Sequence, residues 1–307
     1  MFTRALFIAV LIFVADPVLG EERFEAMHET VSRLSKAGRH FDALVRYYNT
    51  PKSDWGVTEK TAAARSAWAL GLVDRSREIF DDLFSEAESS DTAHSRIVLA
   101  RAIMELQESN FESARAYAER GVSELSESEL RSQFWLLIGE ALRGEKAMSQ
   151  AETYYEKASR EGSAEARGEA LFLLASSQIR SGRLDDARYS LAEITTSSRF
   201  SAQAVRRLAE IDLKQKDYES VIMWIEEGRE MYPSEFEDAW SSYAEVVALV
   251  ALSRGAQART ALNEFKARHT ELNGWYQLAE ASLLASELVD YLPEEKKAGA
   301  VKKGKQQ

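Results

Sequence analysis

The chain contains no cysteine and few of the residues that interrupt helices. Its 307 residues include no Cys, four Pro and fifteen Gly. Without cysteine it has no disulfide, no thiol nucleophile, no thiolate metal site and no thiol to carry a lipid anchor. Because Leu, Ala, Glu, Arg and Ser dominate the composition, intrinsic propensity favours helix over almost the whole length.

Sequence motifs for catalysis, phosphate binding and metal binding are also missing. The four histidines, at positions 28, 40, 94 and 269, never occur at the i, i+4 spacing that puts two ligands on one helix face. There is no G-x-S-x-G, G-x-G-x-x-G or G-x4-G-K-S/T sequence. Neighbouring acids such as Asp81 and Asp82 lie on predicted exposed faces, and we interpret them as solvated charges. The sequence therefore predicts no catalytic residues, no metal site and no cofactor.

Long apolar runs are absent after the first twenty residues. Residues 1–20 contain the basic Arg4, an uninterrupted apolar run of eleven residues from Ala5 to Ala15, and a Val18-Leu19-Gly20 end. A spanning helix needs about 20 apolar residues, so this segment predicts a signal peptide cleaved after Gly20. We expect an exported protein without an integral membrane span in its mature form. None of the four asparagines begins an N-x-S/T site, which favours a bacterial periplasm over a eukaryotic secretory route.

Positive charge is concentrated at the C-terminus of an otherwise acidic chain. The net charge is −11, and residues 293–307 contain five lysines against two glutamates. Residues 1–20 are neutral in sum, so residues 21–292 carry a net charge of −14. A body this acidic repels phosphate backbones, and nucleic acid is therefore not an expected partner. The Lys-rich tail is predicted to be disordered, and its chemistry also allows weak, salt-sensitive contact with an anionic surface.

A pattern of small and large apolar residues recurs along the acidic body. Its clearest copy reads W-x2-I-G-x2-L, eight further residues, then A-x3-Y-x2-A, and comprises Trp135, Ile138, Gly139, Leu142, Ala151, Tyr155 and Ala158. This copy resembles the tetratricopeptide repeat, a helix–turn–helix unit of about 34 residues. Equivalent second-helix positions fall at 44, 76, 114, 151, 187, 221 and 258, with spacings of 32, 38, 37, 36, 34 and 37 residues.

The resemblance implies a fold and a domain organisation. We expect an all-α, right-handed superhelical solenoid of about seven helix pairs, forming one domain over residues 21–292. The stretch from Gly274 to Leu292 follows the last pair and is predicted to be a C-terminal capping helix. Within it, apolar residues at helical spacing are expected to cover the last open face of the array. These residues are Trp275, Leu278, Ala281, Leu284, Leu288 and Leu292.

The first helices of such repeats line a concave groove, and the resemblance carries this role to named positions. The wider groove set comprises Ile103, Leu106, Leu136, Glu140, Arg143, Phe172, Ser176, Ile179, Arg206, Glu210, Lys214, Trp240, Tyr243 and Val247. Cations beside aromatic rings suit a peptide that carries carboxylates. The predicted partner-binding residues are Arg206, Arg207, Glu210, Lys214, Phe172, Trp240 and Tyr243. Alternatively, these charges only pair with one another, as most surface charges do.

The function expected from these features is binding rather than catalysis. We predict a non-catalytic protein–protein interaction scaffold in the cell envelope, which holds a peptide or partner helix in the groove. One alternative is an obligate structural subunit of an envelope assembly or transport complex. Another is a hydrolase of envelope polymers whose carboxylates lie in a superhelical groove. Exposed apolar patches would favour the structural subunit, and closely spaced carboxylates in a deep pocket would favour the hydrolase.

Overall fold

The computed structural model describes residues 30–51, 55–86, 92–124, 128–194, 196, 198–269 and 274–290. Every regular element in these ranges is a helix. The predicted signal peptide, residues 1–20, and the predicted Lys-rich tail, residues 293–307, lie outside the described residues. Within the described residues, no helix combines the length and the hydrophobicity needed to cross a bilayer.

The chain divides into two compact units. The first ends at Gly162 and the second begins at Ser163. The first unit contains four helix pairs in chain order. They are α1 (Val31–Lys36) with α2 (His40–Tyr48), α3 (Val57–Ala69) with α4 (Val73–Glu86), α5 (Thr92–Gln107) with α6 (Phe111–Glu124), and α7 (Ser128–Gly144) with α8 (Met148–Arg160). Within this unit each helix packs against its pair mate, and each of the first three pairs packs against the pair that follows it.

The second unit contains three further pairs and a final helix. They are α9 (Ala164–Arg180) with α10 (Leu184–Ala192), α11 (Ser201–Gln215) with α12 (Tyr218–Met231), and α14 (Ala239–Ala251) with α15 (Gly255–Arg268). A single turn, α13 (Pro233–Phe236), precedes α14, and α16 (Gly274–Asp290) closes the unit. The seven predicted helix pairs and the C-terminal helix are therefore confirmed, and the fold is all-α and tetratricopeptide-like over the described residues.

The turns inside the seven pairs share one backbone conformation. Each contains one residue with positive φ, between 59° and 77°: Gly38, Gly71, Ser109, Lys146, Gly182, Lys216 and Ser253. In each turn the next backbone N–H donates to a carbonyl five residues earlier, as Ala147 does to Leu142 at 2.8 Å. This is the Schellman arrangement that ends a helix and reverses the chain. The repeat is therefore visible in the backbone even where the sequence copies are degenerate.

Small residues allow the helices of the fourth pair to approach closely. Gly139 of α7 faces Tyr155 of α8, and a Cβ at Gly139 would lie 2.5 Å from the Tyr155 ring. Ala151 is fully buried at the same crossing. The Tyr155 hydroxyl donates to Glu140 at 2.6 Å, which satisfies a carboxylate that is only 5% exposed. Close packing and a satisfied buried acid together fix the register of this pair.

The final helix differs from its sequence prediction in which face it buries. Tyr276, Ala279 and Leu283 pack against α14 and α15, and the small Ala279 is fully buried. Leu278, Leu284 and Leu288, predicted to cover the array, are instead more than half exposed. The prediction was wrong because both sides of α16 are apolar, so spacing alone could not choose between them.

Candidate partner-binding surface

Two helices of the second unit hold most of the predicted binding residues. α11 is followed by Lys216, which caps the helix in the left-handed conformation. α14 begins after Asp238, whose carboxylate accepts a hydrogen bond from the Ser241 N–H at 3.0 Å. An Asp at this position satisfies an N–H group that has no partner within the helix. Asp238 thereby fixes the first turn of α14, on which Trp240 lies.

Arg206 ties α11 to the start of α14. Its guanidinium donates to Asp238 Oδ2 at 2.8 Å and lies 3.4 Å from Glu210 Oε1. The same guanidinium carbon is 4.0 Å from the centroid of the Trp240 ring. A cation over an indole face contributes about 0.5–2 kcal/mol, depending on how far water is excluded. Arg206 therefore holds Trp240 in place while its charge is shared with two acids.

Aromatic rings continue from Trp240 towards the C-terminal helix. Tyr243 lies one turn further along α14, and its ring centroid is 4.9 Å from that of Trp275 on α16. Trp240 and Tyr243 are half-buried, and Trp275 is 41% exposed. We call Arg206, Trp240, Tyr243 and Trp275 the aromatic–basic patch. Its members come from three helices, so its geometry depends on the packing of the unit.

The electrostatics of the patch centre on Asp238. Burial raises the pKa of the Asp238 carboxyl, but hydrogen bonds from Arg206 and Ser241 and the nearby guanidinium charge outweigh it, so the pKa lies below its ordinary value. Asp238 is therefore ionised at neutral pH and keeps Arg206 oriented over Trp240. This arrangement leaves the aromatic rings, rather than an unpaired guanidinium, as the contact surface that the patch offers.

The other predicted site residues lie at different distances from the patch. Arg207 is half-exposed and pairs with Glu210 at 2.6 Å, so both remain beside Arg206. Lys214 is exposed two turns further along α11, about 12 Å away along the helix axis. Phe172 lies on α9 and stacks on Phe200 at 5.2 Å, in another hydrophobic cluster of the same unit. The structure thus joins five of the seven residues and separates Lys214 and Phe172 from them.

Three members of the wider groove set are buried. Ile103, Leu136 and Glu140 are 7%, 8% and 5% exposed. Glu140 also receives hydrogen bonds from Tyr155 and Arg143. Their side chains stabilise the first unit and do not line an open surface.

Two residues of this surface were not predicted as binding residues. Asp238 pairs with Arg206 across 32 positions of sequence, and Trp275 was assigned only to the capping helix. The spacing Asp238-x-x-Ser241 is a helix N-cap signal and could have placed Asp238 at the start of α14. No local pattern indicated that Trp275 meets Tyr243.

The described part of the chain shows no cluster of three or more His, Cys, Asp or Glu side chains that could hold a metal ion. Asp212, fully buried, accepts from the Trp224 indole at 2.8 Å and lies 3.2 Å from Arg188. Burial raises the pKa of Asp212, and the bonds from Trp224 and Arg188 act against that rise.

Comparisons with known proteins give limited similarity. No protein-family model matches the chain. It is 27% identical to Protein NPGR2 of Arabidopsis thaliana over 173 residues, which cover 55% of this chain and 21% of that protein. The chain therefore spans about a fifth of the length of this relative, since the match covers 21% of it.

Two solved structures are similar over most of the chain. The Cut9–Hcn1 hetero-tetramer of the APC/C aligns with a TM-score of 0.33 and 15% identity, covering 83% of this chain and 54% of that chain. The TPR2AB domain of yeast Sti1, in a complex with pHSP90, aligns with a TM-score of 0.35 and 12% identity, covering 84% of this chain and 95% of that chain.

Proposed function

We propose that the chain is a non-catalytic protein–protein interaction scaffold that binds an acidic, apolar peptide or helix at the aromatic–basic patch. The observation that carries this proposal is the Arg206–Trp240 contact at 4.0 Å, held by the Asp238 carboxylate. A ring fixed in this way offers apolar area to a partner at little cost in conformational entropy. A side chain that is already held in one position favours binding, whereas a solvated pair of surface charges does not hold an apolar ring in place.

The charges around the patch favour an acidic partner. Arg207 and Lys214 are exposed cations on α11, in a chain whose net charge is −11. Lys214 can pair with a carboxylate of a peptide that lies along α11 and places an apolar side chain against Trp240 and Tyr243. Arg207 can do the same by exchanging its contact with Glu210 for a peptide carboxylate. Arg206 positions the Trp240 ring and does not itself bind the peptide, because its guanidinium is already paired with Asp238 and Glu210.

The location that we propose for this function is the bacterial cell envelope. The basic start, the eleven-residue apolar run and the Val18-Leu19-Gly20 end of the sequence support export. An exported scaffold would meet envelope proteins as its partners.

Selection of random peptides displayed on phage against the purified chain tests this function. We expect enriched peptides to combine acidic residues with an apolar or aromatic residue. Lys214→Glu should weaken their binding tenfold or more, which corresponds to about 1.4 kcal/mol, without lowering the melting temperature. Lys266→Glu, at an exposed position on α15, is the matched control. Peptides without common chemistry, or equal binding to both variants, would contradict the proposal.

A further inference from the structure

A second arginine of the same unit lies over an aromatic ring. The guanidinium carbon of Arg199 is 4.7 Å from the centroid of the Phe200 ring. Its nitrogens pair with Glu165 at 2.7 Å and with Glu169 at 2.8 Å. Phe200 in turn stacks on Phe172 of α9. This arrangement repeats that of the aromatic–basic patch, in which a guanidinium shared by two acids also lies over a ring. We call Phe172 and Phe200 the phenylalanine pair.

The phenylalanine pair is related to the aromatic–basic patch by the repeat. In the three helix pairs of the second unit, the left-handed turn residues are Gly182, Lys216 and Ser253. The residues ten positions before them are Phe172, Arg206 and Tyr243. Because the helix pairs are repeats of one unit, equivalent positions occupy equivalent places on successive first helices. Phe172 and Phe200 are both half-buried, so their rings keep accessible area.

The two aromatic groups lie on either flank of α11. Phe200 is the residue before the first turn of α11 and contacts α9 through Phe172. Arg206 contacts the other neighbour, α14, through Trp240. Phe200 and Arg206 are six positions apart, which corresponds to about 9 Å along the helix axis. An extended peptide covers this distance in about three residues.

The charges along α11 differ between its two ends. Two carboxylates share the guanidinium of Arg199, so these three side chains beside the phenylalanine pair have a formal net charge of −1. Lys214 is an exposed cation near the other end of the helix. A peptide that lies along α11 is therefore favoured when its acid is at the Lys214 end and an uncharged residue is at the phenylalanine pair.

We propose that the phenylalanine pair is a second anchor site for the peptide that binds at the aromatic–basic patch. This inference rests on the function proposed above and specifies its partner more closely. An apolar or aromatic residue of the peptide packs against Phe172 and Phe200. It lies about three residues from the one that packs against Trp240, on the side away from the acid. The second contact strengthens binding because it forms within a peptide that is already held by the first.

A double-mutant cycle between the chain and the peptide tests the proposal. The probe is a synthetic copy of a peptide enriched on the parent chain, with and without Ala in place of the apolar residue farther from its acid. We expect Phe172→Ala to weaken binding of the unmodified peptide about fivefold or more, and to leave binding of the Ala-substituted peptide unchanged, because both changes remove the same contact. Trp240→Ala should weaken binding of both peptides.

Phe84→Ala is the matched control in the first unit. Phe84 is also half-buried, stacks on Tyr117 at 5.7 Å and lies 5.5 Å from the guanidinium carbon of Arg120. Its replacement should leave the affinity for both peptides unchanged. Parent-like binding of the unmodified peptide by Phe172→Ala would overturn the second anchor, whereas parent-like binding by Trp240→Ala would contradict the function proposed above.

A crosslinking experiment on the parent chain gives an answer even if Phe172→Ala fails to fold. The peptide carries a photoreactive phenylalanine analogue in place of the apolar residue farther from its acid. We expect mass spectrometry to find the crosslink on α9 or on the first turn of α11. Crosslinks confined to other helices, or enriched peptides that contain only one apolar residue, would overturn the second anchor and leave binding at the aromatic–basic patch untouched.

Discussion

Gly139 packs against the ring of Tyr155, and a Cβ at this glycine would be 2.5 Å from the ring. Tyr155 is itself fully buried and bonded through its hydroxyl to Glu140. A shift of the ring away from Gly139 would disturb that hydrogen bond. The contact therefore sets how closely α7 and α8 can approach.

Replacing Gly139 with Ala should destabilise the protein by about 1–3 kcal/mol, because the added methyl overpacks a filled core. The measurement is the free energy of unfolding in urea. Gly255→Ala is the matched control, since a Cβ there meets nothing within 4 Å, and it should leave stability unchanged or slightly raised. Equal stability of the two variants would mean that the register of the fourth pair is wrong.

Lys146→Gly should stabilise the protein by about 1 kcal/mol, because a non-glycine residue in the left-handed region carries a steric cost of that order. Lys146 has a φ of 65° and is exposed, so no packing is lost. The melting temperature is the readout. Ala147→Gly, at the next residue with a φ of −88°, is the control and should bring no gain. A loss of stability in Lys146→Gly would contradict the turn geometry.

The turns show what could be predicted from the sequence and what could not. The helix pairs were predictable because buried small residues such as Ala114, Ala151 and Ala187 recur near the expected period. Three of the seven left-handed turn residues are glycines and carry a sequence signal. The other four are Ser or Lys, whose side chains do not indicate a positive φ, so the shared turn appears only in the structure.

The binding surface was predictable to a similar extent. Helical spacing placed Arg206 with Glu210, and Trp240 with Tyr243, because those pairs lie one turn apart on one helix. Contacts between helices depend on packing rather than spacing. The pairing of Arg206 with Asp238 and of Tyr243 with Trp275 therefore could not be derived, and Phe172 was grouped with residues that it does not join.

Asp238→Asn should lower stability at neutral pH by about 1 kcal/mol or less, because the half-exposed ion pair with Arg206 is lost while Asn still caps α14. The folded-state pKa of Asp238 lies below its unfolded value. The stabilisation is therefore present above the unfolded pKa, about 3.9, and disappears as the pH falls through the folded pKa. Melting temperatures of both proteins at neutral and acidic pH check this. A difference in melting temperature between the parent chain and the variant that stays the same at acidic pH would contradict this role of the Asp238 carboxylate.

The mature protein should begin at Glu21 or within a few residues of it, because a short apolar run ending in Val18-Leu19-Gly20 is typical of a cleaved signal peptide. N-terminal sequencing of the protein purified from its native host gives the answer directly. Recovery of a membrane-bound product that retains Met1 would contradict export with cleavage.

The most direct test of partner binding at the aromatic–basic patch compares two tryptophans that each lie against an arginine. Trp240 is 4.0 Å from Arg206, and Trp135 of the first unit is 5.9 Å from Arg131. The measurement is the dissociation constant of an acidic peptide, selected on the parent chain, for Trp240→Ala and Trp135→Ala. We predict a loss of tenfold or more, about 1.4 kcal/mol, for Trp240→Ala and parent-like affinity for Trp135→Ala. Unchanged affinity in Trp240→Ala, with its helicity intact, would contradict the account.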